Sequence, residues 1–421
     1  MENKKSGSER ATIIVCFFVW GFVMVDRFAL HYLAPYVKGD LEISNTQFGL
    51  ILSAFAVTWA IAGWFGSFLA DMTGSKKKGV LLAIVCFTIC SAATGFMQTY
   101  VLLFAVRTIM GCFEGPMLPM LQSFIFAESS PKRRGFNMGI VQTTAVGILS
   151  TVLGPIVLVA LAEYFGWRQT FFFTAIPGIL LFIIVWRYLR EPQVGGAKPP
   201  VPVQSDEKPH APEKVRVVDI FKHRNVVISI ISAPFIMGWY ELVLSFTPLY
   251  LVEEKGMNNT EMSFMISALG IGAVCFGMIV PAISDRIGRK PSMHIFTLVA
   301  ILAPLGILLV PKEAFALMFV ICIIGWAGTG VFPIYQSAIT SESSPQKFLS
   351  TSIATIQMVG GIFGVAVGST LSGYLGDRYG LYAVEILCCI YMAVAFVLSL
   401  FYKETAPLVL ARRAEKQGES A

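Results

Sequence analysis

The chain has 421 residues, 55% hydrophobic and 14% charged, with a mean hydropathy of +0.70 and a formal net charge of +6. A soluble domain carries nearer a quarter charged residues, so these figures exclude a water-soluble globular fold and indicate an all-α integral membrane protein. The basic excess does not point to nucleic acid, because it follows the topology described next.

Apolar runs of about 20 residues, each able to cross roughly 30 Å of hydrocarbon as a helix, recur along the chain. They predict twelve spans at 11–37, 47–70, 79–98, 100–127, 136–162, 168–188, 226–251, 261–284, 291–310, 314–340, 349–375 and 380–402. The first run holds Asp26 and Arg27 and lacks a small-residue cleavage site, so it reads as a retained span and not a signal peptide. With these spans, 25 of the 32 Lys and Arg fall on one side, five (Lys38, Arg168, Lys255, Lys312, Arg378) on the other, and Arg27 and Arg107 inside. The positive-inside rule then places both termini in the cytoplasm. All eight cysteines lie in apolar runs, and Cys86 and Cys90 have no neighbouring His or acid, so they read as small buried hydrophobes and not metal ligands.

Between spans six and seven, Leu189–Asn225 is rich in proline and mixed charge and cannot bury a core. It predicts a cytoplasmic linker (189–225) between an N-terminal six-helix bundle (1–188) and a C-terminal one with its tail (226–421). The end of the linker, Val215–Arg224, has an amphipathic pattern suited to a membrane surface. The two halves repeat at an offset of 214 residues. Ile109–Ser123 (IMGCFEGPMLPMLQS) matches Ile323–Ser337 (IIGWAGTGVFPIYQS), Glu128–Pro131 recurs as Glu342–Pro345, and Asp71 and Gly74 recur as Asp285 and Gly288. Such a repeat implies two pseudo-symmetric bundles with a site between them that rocking exposes to either side.

Charges inside spans are costly and mark substrate, ion or proton paths. The offset maps Asp26 to Tyr240, Arg107 to Ile321 and Glu114 to Gly328, so these three charges belong to one half only, while Arg27 maps to Glu241 with reversed sign. Arg107 and Glu114 are seven residues apart, nearly two turns, so both project from one face about 10 Å apart along the axis. Protonating both acids would leave two arginines facing the site, which favours an anion, and the guanidinium fork suits a carboxylate. A buried salt-bridge network that only fixes helix register is the alternative. His31 shares the face of Arg27 and reads either as a substrate or proton ligand or as a packed polar residue. Glu241 reads as a gate against Arg27, a third titrating site or a locally paired acid.

The loop Ser284–Lys290 (SDRIGRK) and its counterpart Ala70–Lys78 (ADMTGSKKK) carry an acid, a glycine and a basic cluster. By these loops the whole chain resembles the major facilitator superfamily. The first copy departs from that pattern, with Ser67 for the leading glycine and Met72 for the basic residue. The string DRFALHYLAPYV, with Arg107 and Glu114, is similar to the anion:cation symporter branch, which includes galactonate, glucarate, hexuronate and aromatic-acid carriers. The resemblance implies that Asp26 and Glu114 carry protons, that Arg27 meets the anion and that Arg107 partners Asp26. It also implies a conformational latch of Asp71, Asp285, Arg286 and Arg289. His31, Gln142, Trp239, Tyr240, Glu241, Tyr335 and Gln357 lie on helices that line the family's cavity and are candidate substrate contacts.

The expected function is proton-coupled symport of a small organic anion, a sugar acid or other carboxylate, by a monomer in a bacterial inner membrane. A proton-coupled exporter of a drug-like or cationic compound is the alternative, and two cavity arginines disfavour a cation. The chain shows no phosphate-cradling glycine-lysine loop, no metal-spaced histidine cluster and no Ser/His/acid constellation, so no enzymatic activity, cofactor or ATP drive is expected. No nucleic-acid partner is expected, and rings of like charge that would mark a channel are not seen.

Overall fold

A computed structural model describes residues 2–73, 75–130, 133–189, 191, 217–344 and 349–418, all helix, turn or coil with no strand. Twelve helices are long and apolar enough to cross a membrane. They are α1 Glu9–Tyr32, α2 Asn45–Gly63, α3 Lys76–Phe96, α4 Tyr100–Glu128, α5 Asn137–Phe165 and α6 Trp167–Tyr188, followed by α7 Arg224–Glu253, α8 Asn259–Ile287, α9 Arg289–Leu309, α10 Lys312–Ser343, α11 Ser352–Tyr379 and α12 Tyr382–Ser399. Within the first six, α2 packs on α4, α3 on α6 and α1 on α5; within the last six, α7 packs on α11 and α12 and α8 on α10. Large apolar side chains such as Leu82, Ile89, Ile179 and Ile183 remain exposed on the outer surface, as lipid contact requires.

Several boundaries differ from the expectation. The first span, expected at 11–37, starts near there at Glu9, on a helix that begins at Glu2, but it stops at Tyr32, with a separate helix at Ala34–Leu41. Pro35 has no N–H to continue the ladder. Inside α4 the helix breaks at Gly115–Pro116, so Glu114 is the last residue of its first segment. Of the expected amphipathic stretch 215–224, the described part is a 3-10 helix at Val217–Lys222; linker residues 190 and 192–216 lie outside the described residues. A further helix, Pro407–Gly418, was not anticipated. Wider π-helical turns occupy Ile140–Thr144 and Val146–Leu153 in α5 and Gly360–Ala366 in its repeat mate α11.

The 214-residue repeat extends to the way helix ends are satisfied. α2 opens on a reciprocal cap in which Gln47 N–H donates to Ser44 Oγ (3.1 Å) and Ser44 N–H to Gln47 Oε1 (2.9 Å). α8 opens on the same device, Glu261 N–H to Asn258 Oδ1 (2.8 Å) and Asn258 N–H to Glu261 Oε2 (3.0 Å). These are capping boxes legible as S-x-x-Q and N-x-x-E. Glu191 accepts from the first amides of α3, Lys76 (2.5 Å) and Lys77 (2.9 Å), as Glu404 does from those of α9, Arg289 (2.8 Å) and Lys290 (3.2 Å). A carboxylate at a helix N-terminus meets its unpaired N–H groups and the positive end of its dipole.

The two sets of six spans are fastened together on the side opposite the termini. Asp377, at the end of α11, accepts from Asn45 N–H (2.8 Å) and Thr46 N–H (2.7 Å) at the start of α2. Its repeat mate Glu163 accepts from Thr260 Oγ1 at 3.1 Å at the start of α8. Lys38 donates to Glu253 at 2.8 Å. A Cβ on Gly49 would collide with the Ser369 carbonyl, and one on Gly373 with that of Asn45, so glycine lets the α2 and α11 backbones touch.

Candidate functional site

α1 brings its charged face to the seam between the two sets. Arg27 Nη2 lies 3.5 Å from Glu241 Oε2 of α7, and His31 Nε2 lies 3.6 Å from Glu241 Oε1. His31 Nδ1 is 3.3 Å from Ser245 Oγ, whose position differs from that of His31 by 214. Arg27 and Glu241 share that offset. Positions exchanged by an internal two-fold can touch only beside its axis, so both pairs mark the axis.

The guanidinium of Arg27 is 5.0 Å from the Phe55 ring centre, 5.4 Å from Trp59 and 5.8 Å from Phe28. Such faces favour a cation and leave its charge available, since Glu241 is its one ion-pair partner among the described residues and its Nε is buried without a hydrogen bond. Across the seam, the Tyr240 ring lies 5.6 Å from Trp326 and 5.5 Å from Phe332, with Trp239 4.7 Å from Trp326.

Asp26, Arg107 and Glu114 lie behind Arg27 and are at most 2% exposed. Asp26 Oδ1 accepts from Ser91 of α3 and from Thr174 of α6, the latter at 3.0 Å, while Oδ2 has no partner. Arg107 lies 5.1 Å from the Phe171 ring centre and contacts Met110 Sδ at 3.6 Å, with Nε and Nη2 unpartnered. Both oxygens of Glu114 are unpartnered, yet it feels the charges of Asp26, Arg27 and Arg107. No ion pair of 4 Å or less joins Arg107 to Asp26, whose hydrogen-bond partners are Ser91 and Thr174, so the expected partnership of the two is left to charge attraction over a longer gap. Buried polar atoms without partners are expensive, so this cluster has open capacity for protons, water or a ligand.

Other candidates lie elsewhere. Gln142 is exposed on the first π-turn of α5, 3.5 Å from Gln122 Nε2, and Gln357 is half-buried on α11. Tyr335 is fully buried, with its hydroxyl accepting from Gln336 at 3.0 Å, so its polar end is engaged by its own neighbour. Of the latch residues, Arg289 joins Asp285 (2.6 Å), Ser284 (2.6 Å) and Glu342 at the end of α10 (2.9 Å). Arg286 is exposed and makes no ion pair with a described residue, and the side chain of Asp71 lies outside the described residues. Ser91, Thr174, Phe55, Trp59 and Ser245 were missed. Small hydroxyls and aromatics in apolar runs carry no signal until the helices are packed; only Ser245, the repeat mate of His31, had one.

No group of three or more His, Cys, Asp or Glu suited to a metal occurs among the described residues. The chain is 26% identical to a hexuronate transporter of Bacillus subtilis over 295 residues, 67% of this chain and 66% of that protein. It is 22% identical to a probable 4-methylmuconolactone transporter of Cupriavidus pinatubonensis, over 99% of this chain and 96% of the relative. In structure it resembles a bacterial homologue of the human lysosomal transporter Spinster, inward-facing and unoccupied, with TM-score 0.76, 18% identity and coverage of 94% and 98%. Residues 16–365 match the family model of the Major Facilitator Superfamily, and the chain belongs to that superfamily.

Proposed function

We propose that this secondary transporter of a small organic molecule carries an organic anion together with protons, as a member of the anion:cation symporter branch with both termini in the cytoplasm. The observation that carries the reading is Arg27, a cation on the axis between the two sets of spans, loosely held by one carboxylate. Bidentate binding of a substrate carboxylate by the Arg27 fork would displace Glu241, which stands where the anion goes. Asp26 and Glu114 take up protons, so that the loaded site does not gather unbalanced negative charge, and Arg107 offsets whatever charge remains. The names of the hexuronate and 4-methylmuconolactone transporters support a small organic acid or its lactone. His31 and Tyr240 are the further substrate contacts nearest this centre, and Gln142, Gln357 and Tyr335 join only after the bundles 1–188 and 226–421 rock.

Proteoliposome transport tests the reading. Wild type accumulates the anion when the outside is acidic; Asp26→Asn and Glu114→Gln lose accumulation but keep exchange of labelled for unlabelled substrate. Normal accumulation by either variant refutes its coupling role. The aromatic walls favour a second reading, export of a flat drug-like compound. Thermal stabilisation by cations or neutral drugs and not by acids would select it.

A further inference from the structure

On the terminus side of the molecule, outside the seam, α7, α9 and the segment after α12 line an open pocket of about 620 Å3. Arg224, Lys290, His294 and Lys403 line it, with Glu404 and with Leu410 of the Pro407–Gly418 helix. An apolar groove of about 450 Å3 adjoins it, sharing Arg224 and running along Ile228, Ile231, Leu398 and Phe401. We propose that the pair forms a binding site for a membrane phospholipid with an anionic headgroup.

Charge comes first. Three permanent cations meet one carboxylate, and that carboxylate is already engaged. Glu404 Oε1 accepts from the amides of Arg289, Thr405 and Ala406 and Oε2 from that of Lys290. Its oxygens are held by the start of α9, and no ion pair of 4 Å or less joins it to Arg224, Lys290 or Lys403. Among the described residues neither Lys290 Nζ nor Lys403 Nζ has a hydrogen bond or ion pair, and Arg224 donates only Nε, to the Phe401 carbonyl at 3.0 Å. Phosphate is the ligand chemistry that fits such a group.

The groove decides for a lipid over a free phosphate. Arg224 is the first residue of α7, Lys290 the second of α9, and Lys403 follows the end of α12, so the cations stand where the spans end. From there the groove descends along spanning helices, and Ile231 and Phe401 are 49% and 52% exposed within it. A headgroup at the cations would lay its acyl chain there; a free anion would leave it unused.

The test is native mass spectrometry of the full-length protein in detergent, titrated with phosphatidylglycerol and phosphatidylcholine of equal chain length. Phosphatidylglycerol is expected to be retained preferentially, with retention falling about fivefold for each cation neutralised. The triple variant Arg224→Gln, Lys290→Gln, Lys403→Gln should lose the preference. The single variants Lys290→Gln and Lys403→Gln give the same reading should the triple not fold. Ile231→Trp, which fills the groove and keeps the charges, should also lower retention. Equal retention of the two lipids, an unaltered preference in the charge variants, or displacement of phosphatidylglycerol by equimolar inorganic phosphate would overturn the lipid assignment.

Discussion

Arg27 and Glu241 are exchanged by the repeat and yet meet each other, at 3.5 Å. On the proposed reading, an anion that binds Arg27 more strongly than Glu241 does would open this pair. Glu241 is nearly buried, 7% exposed at its side chain, so on that reading its charge would compete with substrate at low local polarity. Glu241→Gln is therefore expected to tighten anion binding on the order of tenfold, about 1.4 kcal/mol, as read by calorimetry or tryptophan quenching. Arg27→Lys keeps the charge but loses the planar fork and should weaken binding by about tenfold or more. An unchanged affinity in both variants would remove Arg27 from the site. All five charges of the site, Asp26, Arg27, Arg107, Glu114 and Glu241, were legible in the sequence because an acid or arginine inside an apolar run stands out. The hydroxyls of Ser91 and Thr174 that hold Asp26 were not, since serine and threonine are ordinary in spanning helices.

At the scale of elements, the α2–α11 and α5–α8 seams repeat one design: an acid at the end of one helix reaches the start of its opposite number. Asp377 takes two backbone amides of α2, whereas Glu163 takes only the Thr260 hydroxyl. The first is the stronger fastening, since two charge-assisted bonds exceed one. Asp377→Ala should open the far side more often than Glu163→Ala. A cysteine introduced at Ser44 in a cysteine-free background should then react faster with an impermeant maleimide in the Asp377 variant. Equal rates in wild type and both variants would show that these caps do not hold the closed side. The π-turns of α5 and α11 lie on the same seams. Their glycines were visible in the sequence, but not the wider turn, which depends on which helix presses against them.

For the whole molecule, the two sets of spans meet at the caps opposite the termini, at Arg27 and Glu241, and along α5 and α8 as far as Thr143 and Gly277. On the terminus side, Arg289 draws the ends of α8, α9 and α10 together through Asp285 and Glu342, within the last six spans. Arg289, its side chain 10% exposed, would keep Asp285 but lose its contact to the end of α10 if Glu342 were neutralised. Glu342→Gln should lower the Tm of the purified protein by a few degrees and leave substrate affinity unchanged; an unaltered Tm would demote the contact to an accessory one.

The sequence by itself determined that the chain spans a membrane about twelve times, that two halves repeat at 214 residues, and that few charges lie inside. Those properties follow from local composition and spacing, since hydrocarbon tolerates only long apolar helices with internally satisfied backbones. Tertiary structure alone decided which charges meet. Helix rotation and tilt are set by packing against neighbours, so the offset related Arg27 to Glu241 without revealing contact, and the one-helix proximity of Arg107 to Glu114 did not reveal that Asp26 would turn to Ser91 and Thr174.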